Sequence, residues 1–355
     1  MKILLLSAYD AVSHQHWREG LVRELPEHQW SVLTLPPRHF AWRIRGNALS
    51  WRDHPVLAQD HDLVLATSMV DLATLRGLVP AMARVPNLVY FHENQLAYPD
   101  SERQKASVEP AITSLYSALA ADRVAFNSRW NRDSFLDGMT QLLDRMPDGV
   151  PADALSQILQ KATLLPVGID ARLLIREKPT ETAAPLTLLW NHRWEYDKGP
   201  DRLLLALKEL RRRQVGFRID IAGQRFRQVP EALQTIQREF THELGQFGPI
   251  EDRLEYEKRL SRGGLVLSTA LHDFQGLAML EAAAAGCVPM VPDRLAYPEF
   301  FPPQYRYASS PEDPELEATA LVDRMLAAPP VPPDLAELGW DQLAERYRKW
   351  IGPFT

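Results

Sequence analysis

The chain has 355 residues, 45% of them hydrophobic and 24% charged, with a formal net charge of -6 at pH 7. That length and composition suit two ordinary globular cores, and the acidic balance argues against a surface coated in phosphate-binding charge while allowing a local basic patch. The single cysteine, Cys287, cannot close an internal disulfide, and no apolar run approaches the ~20 residues of a spanning helix, so a reduced, cytoplasmic setting without stable membrane insertion is expected.

From the N-terminus, KILLLS reads as a first buried strand, followed by a helix from about His14 to Leu25 and then the strand candidates WSVLTL, DLVLATS, NLVYF and RVAFN, with helices between them. Short apolar runs alternating with helical patterns describe a parallel sheet covered on both faces. The pattern repeats as LTLLWN, FRIDIAG, GGLVLS and CVPMVP, with helix-like stretches at 200–213 and 276–286. The fold class is therefore α/β. Residues 1–168 are expected to form one Rossmann-like domain and 185–335 a second, joined over 168–185 by a proline-bearing connector without sustained period. In 336–355, Trp340, Leu343, Tyr347 and Ile351 recur at helical spacing and predict an amphipathic closing helix.

Ligands of open α/β sheets sit beyond the carboxyl ends of the strands, which directs attention to the residues after each one. In STALHDFQGLAMLEAAAAGCVPMVP, Gly276 opens a helix, and the amides that begin it, at Leu277 and onward, suit a diphosphate. Glu281, further along that helix, is placed to accept hydrogen bonds from ribose hydroxyls, and Asp273 in the loop to face a sugar. An acid in so apolar a helix needs a partner if buried; the plainer alternative is an ordinary strand–helix unit with a solvated acid. After LTLLWN come Asn191, Arg193 and Lys198, and Gly223 ends FRIDIAG. The two cations can clamp a diphosphate and stabilise the charge that develops as a nucleotide leaves, or they can be two solvated side chains.

In the first half, His92 follows NLVYF and leads Glu93, Asn94 and Gln95, a concentration of hydrogen-bonding groups around an imidazole suited to proton traffic. Asn127 and Ser128 after RVAFN are either acceptor contacts or a helix cap. Ser13 and His14 either meet a phosphate or sugar or belong to a capped helix start. Asp60-His61-Asp62 mimics a metal motif but precedes a strand, so no metal is expected. Between Arg38 and Arg52, Arg38, His39, Arg43, Arg45 and Arg52 interleave with Phe40, Trp42 and Trp51. Guanidinium groups there would meet phosphates while the rings stack on unpaired RNA bases; a snorkelling or half-buried structural segment and a membrane-surface face are the alternatives.

The Arg193-x4-Lys198 and Asp273-x7-Glu281 spacings resemble the donor half of the family 4 retaining glycosyltransferases of the GT-B class, with Asp273 where that family usually has glutamate. FHENQLAYP, WNHRWEYDKGP, STALHDFQGLAMLEA and LAYPEFFP, with SHQHWREGL and LTLPPRHFAWRIRGNAL, narrow the resemblance to the tRNA-queuosine mannosyltransferase branch over nearly the whole chain; Ala11-Val12 replace two glycines usual in that branch. The resemblance implies two Rossmann-like domains facing a central cleft, with the C-terminal helix returning to the first. It also implies GDP-mannose as donor, the queuosine base of a tRNA anticodon as acceptor, retained configuration and no metal or other cofactor. Arg193 and Lys198 would then neutralise the diphosphate, Glu281 would hold the ribose, Asp273 and His92 would orient the sugar, and the leaving phosphate would take the acceptor proton. The residues by themselves support a nucleotide-diphosphate donor and leave open a lipid or small-molecule acceptor, or a non-catalytic nucleotide-sugar or RNA-binding protein. A dinucleotide oxidoreductase is disfavoured, because no Gly-x-Gly-x-x-Gly follows the first strand.

Overall fold

The computed structural model describes residues 1–97, 107–151, 153–174, 185–225, 228–327 and 331–352. Residues 175–184 of the expected connector, and Tyr98 and Pro99 of FHENQLAYP, lie outside the described residues. Contacts divide the chain into two compact units, Met1–Gly168 with Trp340–Thr355, and Ile169–Gly339.

The first unit carries β1 (Lys2–Ser7), β2 (Gln29–Thr34), β3 (Leu63–Thr67), β4 (Asn87–Phe91), β5 (Arg123–Phe126) and β6 (Ala162–Leu164), in the spatial order β2-β1-β3-β4-β5-β6. The second carries β7 (Leu186–Trp190), β8 (Phe217–Ile221), β9 (Leu244–Phe247), β10 (Leu265–Leu267), β11 (Val288–Pro292) and β12 (Arg306–Tyr307), in the order β12-β11-β10-β7-β8-β9. The strand pairs are parallel in both sheets. Helices on both faces of a parallel sheet bury its inner strands completely, which is why β3 and β4 are apolar without alternation whereas β2, at an edge, is partly exposed along its length. Leu4, Leu6, Phe91, Phe126 and Phe135 centre one core; Trp190, Leu203, Leu207, Phe240 and Met290 centre the other.

Strand order reverses between β1 and β3 in the first sheet and between β7 and β10 in the second. At such a switch point the connections leave in opposite directions and open a crevice beyond the strand ends. The residues after β7 and β10 are the ones singled out above by their charge spacing.

The first helix begins earlier than expected and spans Val12–Glu24. The closing helix begins later, spanning Trp340–Ile351, because residues 336–338 form a short turn of their own within the second unit. It packs into the first unit through a chain of polar contacts among buried aromatics. Trp17 Nε1 donates to Tyr347 Oη at 3.0 Å, Tyr347 Oη lies 3.2 Å from Tyr90 Oη, and Tyr90 Oη donates to the Leu165 carbonyl at 2.6 Å. No helix among the described residues is long and apolar enough to cross a membrane.

Candidate functional site

Backbone groups sew the loops after β7 and β10 together. The Asp197 carbonyl accepts the amides of Leu271 (2.8 Å) and His272 (3.1 Å), while Thr269 Oγ1 donates to the Lys198 carbonyl at 2.8 Å and accepts Trp190 Nε1 at 3.0 Å. The loop after β8 joins them through Trp194 N, which donates to the Gln224 carbonyl at 2.9 Å. Gly223 (φ +135°) passes so close that a Cβ would lie 1.9 Å from the His192 carbonyl oxygen, a place only glycine can occupy.

This stitching buries Lys198. Its Nζ donates to the His272 carbonyl at 2.6 Å and lies 3.2 Å from Asp197 Oδ2 and 3.7 Å from Asp273 Oδ2. Asp273 Oδ1 accepts the Gly276 amide at 2.9 Å, and Oδ2 accepts Tyr297 Oη at 3.2 Å. Burial pushes the Asp273 carboxyl up, but the Lys198 charge, His192 and the Gly276 N–H together outweigh it and hold the group below its ordinary value. Asp273 is therefore an anion at neutral pH, held between a cation and two donors.

Gly276 (φ +76°) caps the helix Leu277–Ala284, whose first turn holds no acid, and a Cβ there would lie 2.6 Å from the Tyr297 ring. Such a start favours an anion. Asn191 is buried, its Nδ2 donating to Tyr256 Oη and to the Ala278 carbonyl, both at 3.0 Å. Glu281 is buried on the same helix and paired with Arg253. Arg193 is exposed, 2.9 Å from Glu195 Oε2 and 4.0 Å from Asp197 Oδ2, so it sits beside carboxylates and not as an isolated solvated cation. Asn191, Lys198, Asp273, Gly276, Leu277 and Glu281 thus all lie in the loops and helix at the β7/β10 switch point, with Gly223 against them in the loop after β8. Sequence reasoning missed Arg253, Tyr256 and Tyr297, and gave no role to His192 and Asp197 within the selected span Asn191–Lys198. His192 and Asp197 stood inside the quoted WNHRWEYDKGP, and Tyr297 inside LAYPEFFP.

Burial, then the Lys198 charge, brings the His192 pKa down from 6.5 to about 4. The unfolded chain therefore takes up this proton first as pH falls. The stability gained by keeping the ring neutral is complete above pH 6.5 and is lost toward pH 4, at a limiting slope of about 1.4 kcal/mol per pH unit. Denaturant midpoints measured across that range should fall less steeply in His192→Gln than in the native chain; parallel slopes would contradict a buried neutral imidazole.

In the first unit, His14 stacks on His92, with ring centroids 4.1 Å apart and planes 19° from parallel, and its Nε2 lies 3.5 Å from Glu93 Oε2. Trp17 and Tyr90 meet His92 edge-on. Burial, then the neighbouring His14, pushes the His92 pKa well below its ordinary value, so His92 is neutral at physiological pH. His92 Nε2 and His14 Nδ1 are buried without a hydrogen-bond partner among the described residues, so both ring edges are open to a bound group or a water. The helix start at Ala11 makes no side-chain cap bond, and Ser13 is exposed.

Several expected acceptor contacts are turned inward. Asn94 Nδ2 donates to Asn131 Oδ1 at 2.9 Å and to the Asn131 carbonyl at 3.1 Å, and Asn127 Nδ2 donates to the His92 carbonyl at 2.8 Å. Ser128 Oγ accepts the Asn131 amide at 2.9 Å and caps the helix Arg129–Leu143. All three are buried and hold the loop that carries His92. Glu93 lies beside His14, and Gln95 is partly buried with its Nε2 3.9 Å from Met69 Sδ. The basic aromatic stretch forms the helix Phe40–Trp51, in which Arg43 and Trp51 are buried. The exposed part of the stretch is narrower than expected: Arg38 and His39 before the helix, Trp42 at 59% exposure, Arg45 paired with Asp71 at 2.9 Å, and Arg52.

Residues 2–169 match the family model described as tRNA-queuosine alpha-mannosyltransferase N-terminal. A tRNA-queuosine alpha-mannosyltransferase of Drosophila melanogaster is 38% identical over 319 residues, 87% of this chain and 84% of that protein. Among solved structures, a sucrose-phosphate synthase from Thermosynechococcus elongatus aligns with a TM-score of 0.69 at 12% identity over 98% of both chains. A UDP-forming alpha,alpha-trehalose-phosphate synthase from Burkholderia xenovorans aligns at 0.66 and 12% identity over 99% of both. These two show the fold, that of the GT-B glycosyltransferases. With its two parallel sheets and with the Drosophila relative aligned over most of its length, the chain belongs to the tRNA-queuosine alpha-mannosyltransferase family and is a glycosyltransferase.

Proposed function

We propose that the protein transfers mannose from GDP-mannose to the queuosine base of a tRNA anticodon, with retained configuration, without a metal ion and in the cytoplasm. The observation that carries this reading is the buried Lys198 set against ionised Asp273, one residue group away from the helix start at Gly276. A fixed cation beside a helix N-terminus suits a diphosphate, and a fixed carboxylate suits sugar hydroxyls.

In the reaction, the bond from mannose C1 to the diphosphate oxygen breaks and a bond from C1 to the acceptor hydroxyl oxygen forms on the same face. The hydroxyl proton passes to the departing phosphate oxygen, giving GDP. Lys198 and Arg193 carry the charge that grows on the diphosphate, Glu281 accepts from the ribose, and Asp273 orients the sugar. His92, neutral, has one ring nitrogen to donate and one to accept. On the first unit, Arg38, Trp42 and Arg45, with Glu93 and Gln95, are the acceptor-side groups.

Calorimetric titration tests the donor: GDP-mannose should bind and UDP-glucose should not, and the reverse order would overturn the assignment. The anomeric proton of the product, read by NMR, should be that of the alpha linkage; a beta product would refute retention. The double substitution Arg38→Ala with Arg45→Ala should weaken tRNA binding about tenfold and flatten its dependence on log salt by about two units. Unchanged affinity and slope would remove this patch from the acceptor surface.

A further inference from the structure

Glu281, the carboxylate assigned above to the donor ribose, is held from a second helix. Arg253 opens the helix Arg253–Leu260 and places Nη2 2.8 Å from Glu281 Oε1, while its Nε lies 3.0 Å from Oε1 of Glu257 one turn along. Glu257 is buried, and the Arg253 guanidinium stands 5.5 Å from the centre of the Tyr256 ring. The planar fork of Arg253 is thus fixed by two carboxylates on two helices and by an aromatic face.

The same two helices are joined a second time. Tyr256 Oη accepts Asn191 Nδ2, and that amide also donates to the carbonyl of Ala278, on the helix of Glu281. Around Glu281 the helix is otherwise built of Met279, Leu280, Ala282 and Ala283, all buried and none able to hold a carboxylate. In such apolar surroundings a fixed cation beside the carboxylate compensates its charge and sets its direction.

We propose that Arg253 is a positioning residue for the donor nucleoside, presetting through Glu281 the carboxylate that receives the ribose hydroxyls. This rests on the ribose assignment of Glu281. Arg253 acts on how the donor is bound and not on the bond exchange at the sugar, so its loss falls on the donor KM and leaves kcat in place. Lysine reaches one carboxylate where the guanidinium spans two, so it restores the effect only in part.

The test is calorimetry on the full-length protein and its Arg253→Gln, Arg253→Lys and Glu281→Gln variants, each titrated with GDP and with 2′,3′-dideoxy-GDP. The native protein should prefer GDP about tenfold, the strength of hydrogen bonds to a charged group. Arg253→Gln and Glu281→Gln should both abolish that preference while dideoxy-GDP binds within about twofold of native, which also shows the variants folded; Arg253→Lys should be intermediate. In steady state, Arg253→Gln should raise the KM for GDP-mannose about tenfold with kcat within about twofold. If Arg253→Gln keeps the GDP preference, or weakens both nucleotides equally, Arg253 does not position the ribose acceptor and the proposal is overturned. If Glu281→Gln also keeps the preference, or the native protein binds no GDP, the donor-site reading itself is wrong and the proposal falls with it.

Discussion

Replacing Lys198 with methionine is expected to lower kcat/KM for sugar transfer about a thousandfold, the scale of losing one preorganised charge-stabilising group. The lysine is buried, with its ammonium fixed by the His272 carbonyl and by two carboxylates, so the site already holds it in place before any diphosphate arrives. Methionine fills the space of the stem and supplies no charge. The same substitution should move the acid limb of the pH–rate profile toward higher pH. In the native protein burial raises the Asp273 pKa and Lys198 is the strongest influence lowering it, so removing Lys198 shifts that pKa upward. Steady-state kinetics over a pH series checks both. A loss below about tenfold, far from the effect of one such group, would place the diphosphate elsewhere.

Glu317→Ala should cost about 3–5 kcal/mol, the penalty for breaking a buried ion pair from one side. Glu317 is buried and is shared by two arginines: Arg202 Nε lies 2.5 Å from Oε2, and Arg294 Nη1 bonds Oε1. Alanine would leave both guanidinium groups in place with no carboxylate between them. At roughly 2–4 °C per kcal/mol for a unit of this size, Tm should drop by about 10 °C. The effect should reach activity as well, because Arg294 also donates through Nε and Nη2 to the Ala270 carbonyl, at 3.0 and 2.8 Å, at the root of the loop that carries His272 and Asp273. Scanning calorimetry decides the stability claim; a Tm within about 2 °C of native would mean that the triad contributes little.

The sequence was most legible where burial on both sheet faces leaves an unbroken apolar run, as in β1, β3, β4, β7 and β11. It was silent on β6, β9 and β12, which are only three, four and two residues long and partly exposed, so they carry neither a run nor a clear alternation. In the donor half, Lys198, Asp273 and Glu281 were readable because the residues after a strand end and the first turns of a helix are fixed by local geometry. Arg253, Tyr256 and Tyr297 reach the same place from other elements, and nothing in local spacing reports a contact across 28 residues such as that of Arg253 with Glu281.

The acceptor half misled in a way that helical periodicity explains. Arg43, Ile44, Asn47, Ala48 and Trp51 fall on one face of the helix Phe40–Trp51 and are buried, so charge and aromaticity alone overstated the exposed patch. Asn94, Asn127 and Ser128 are short side chains beside backbone groups that need partners, and the fold uses them there.

The most direct measurement is nucleoside mass analysis of queuosine-containing tRNA after incubation with the protein and GDP-mannose, alongside UDP-glucose and alongside tRNA with guanosine at the same position. One hexose should be added to queuosine, with GDP-mannose alone and with no addition to the guanosine tRNA. Hexose transfer from UDP-glucose instead, or slow release of mannose from GDP-mannose with no mass gained by any tRNA, would contradict the assignment of donor and acceptor.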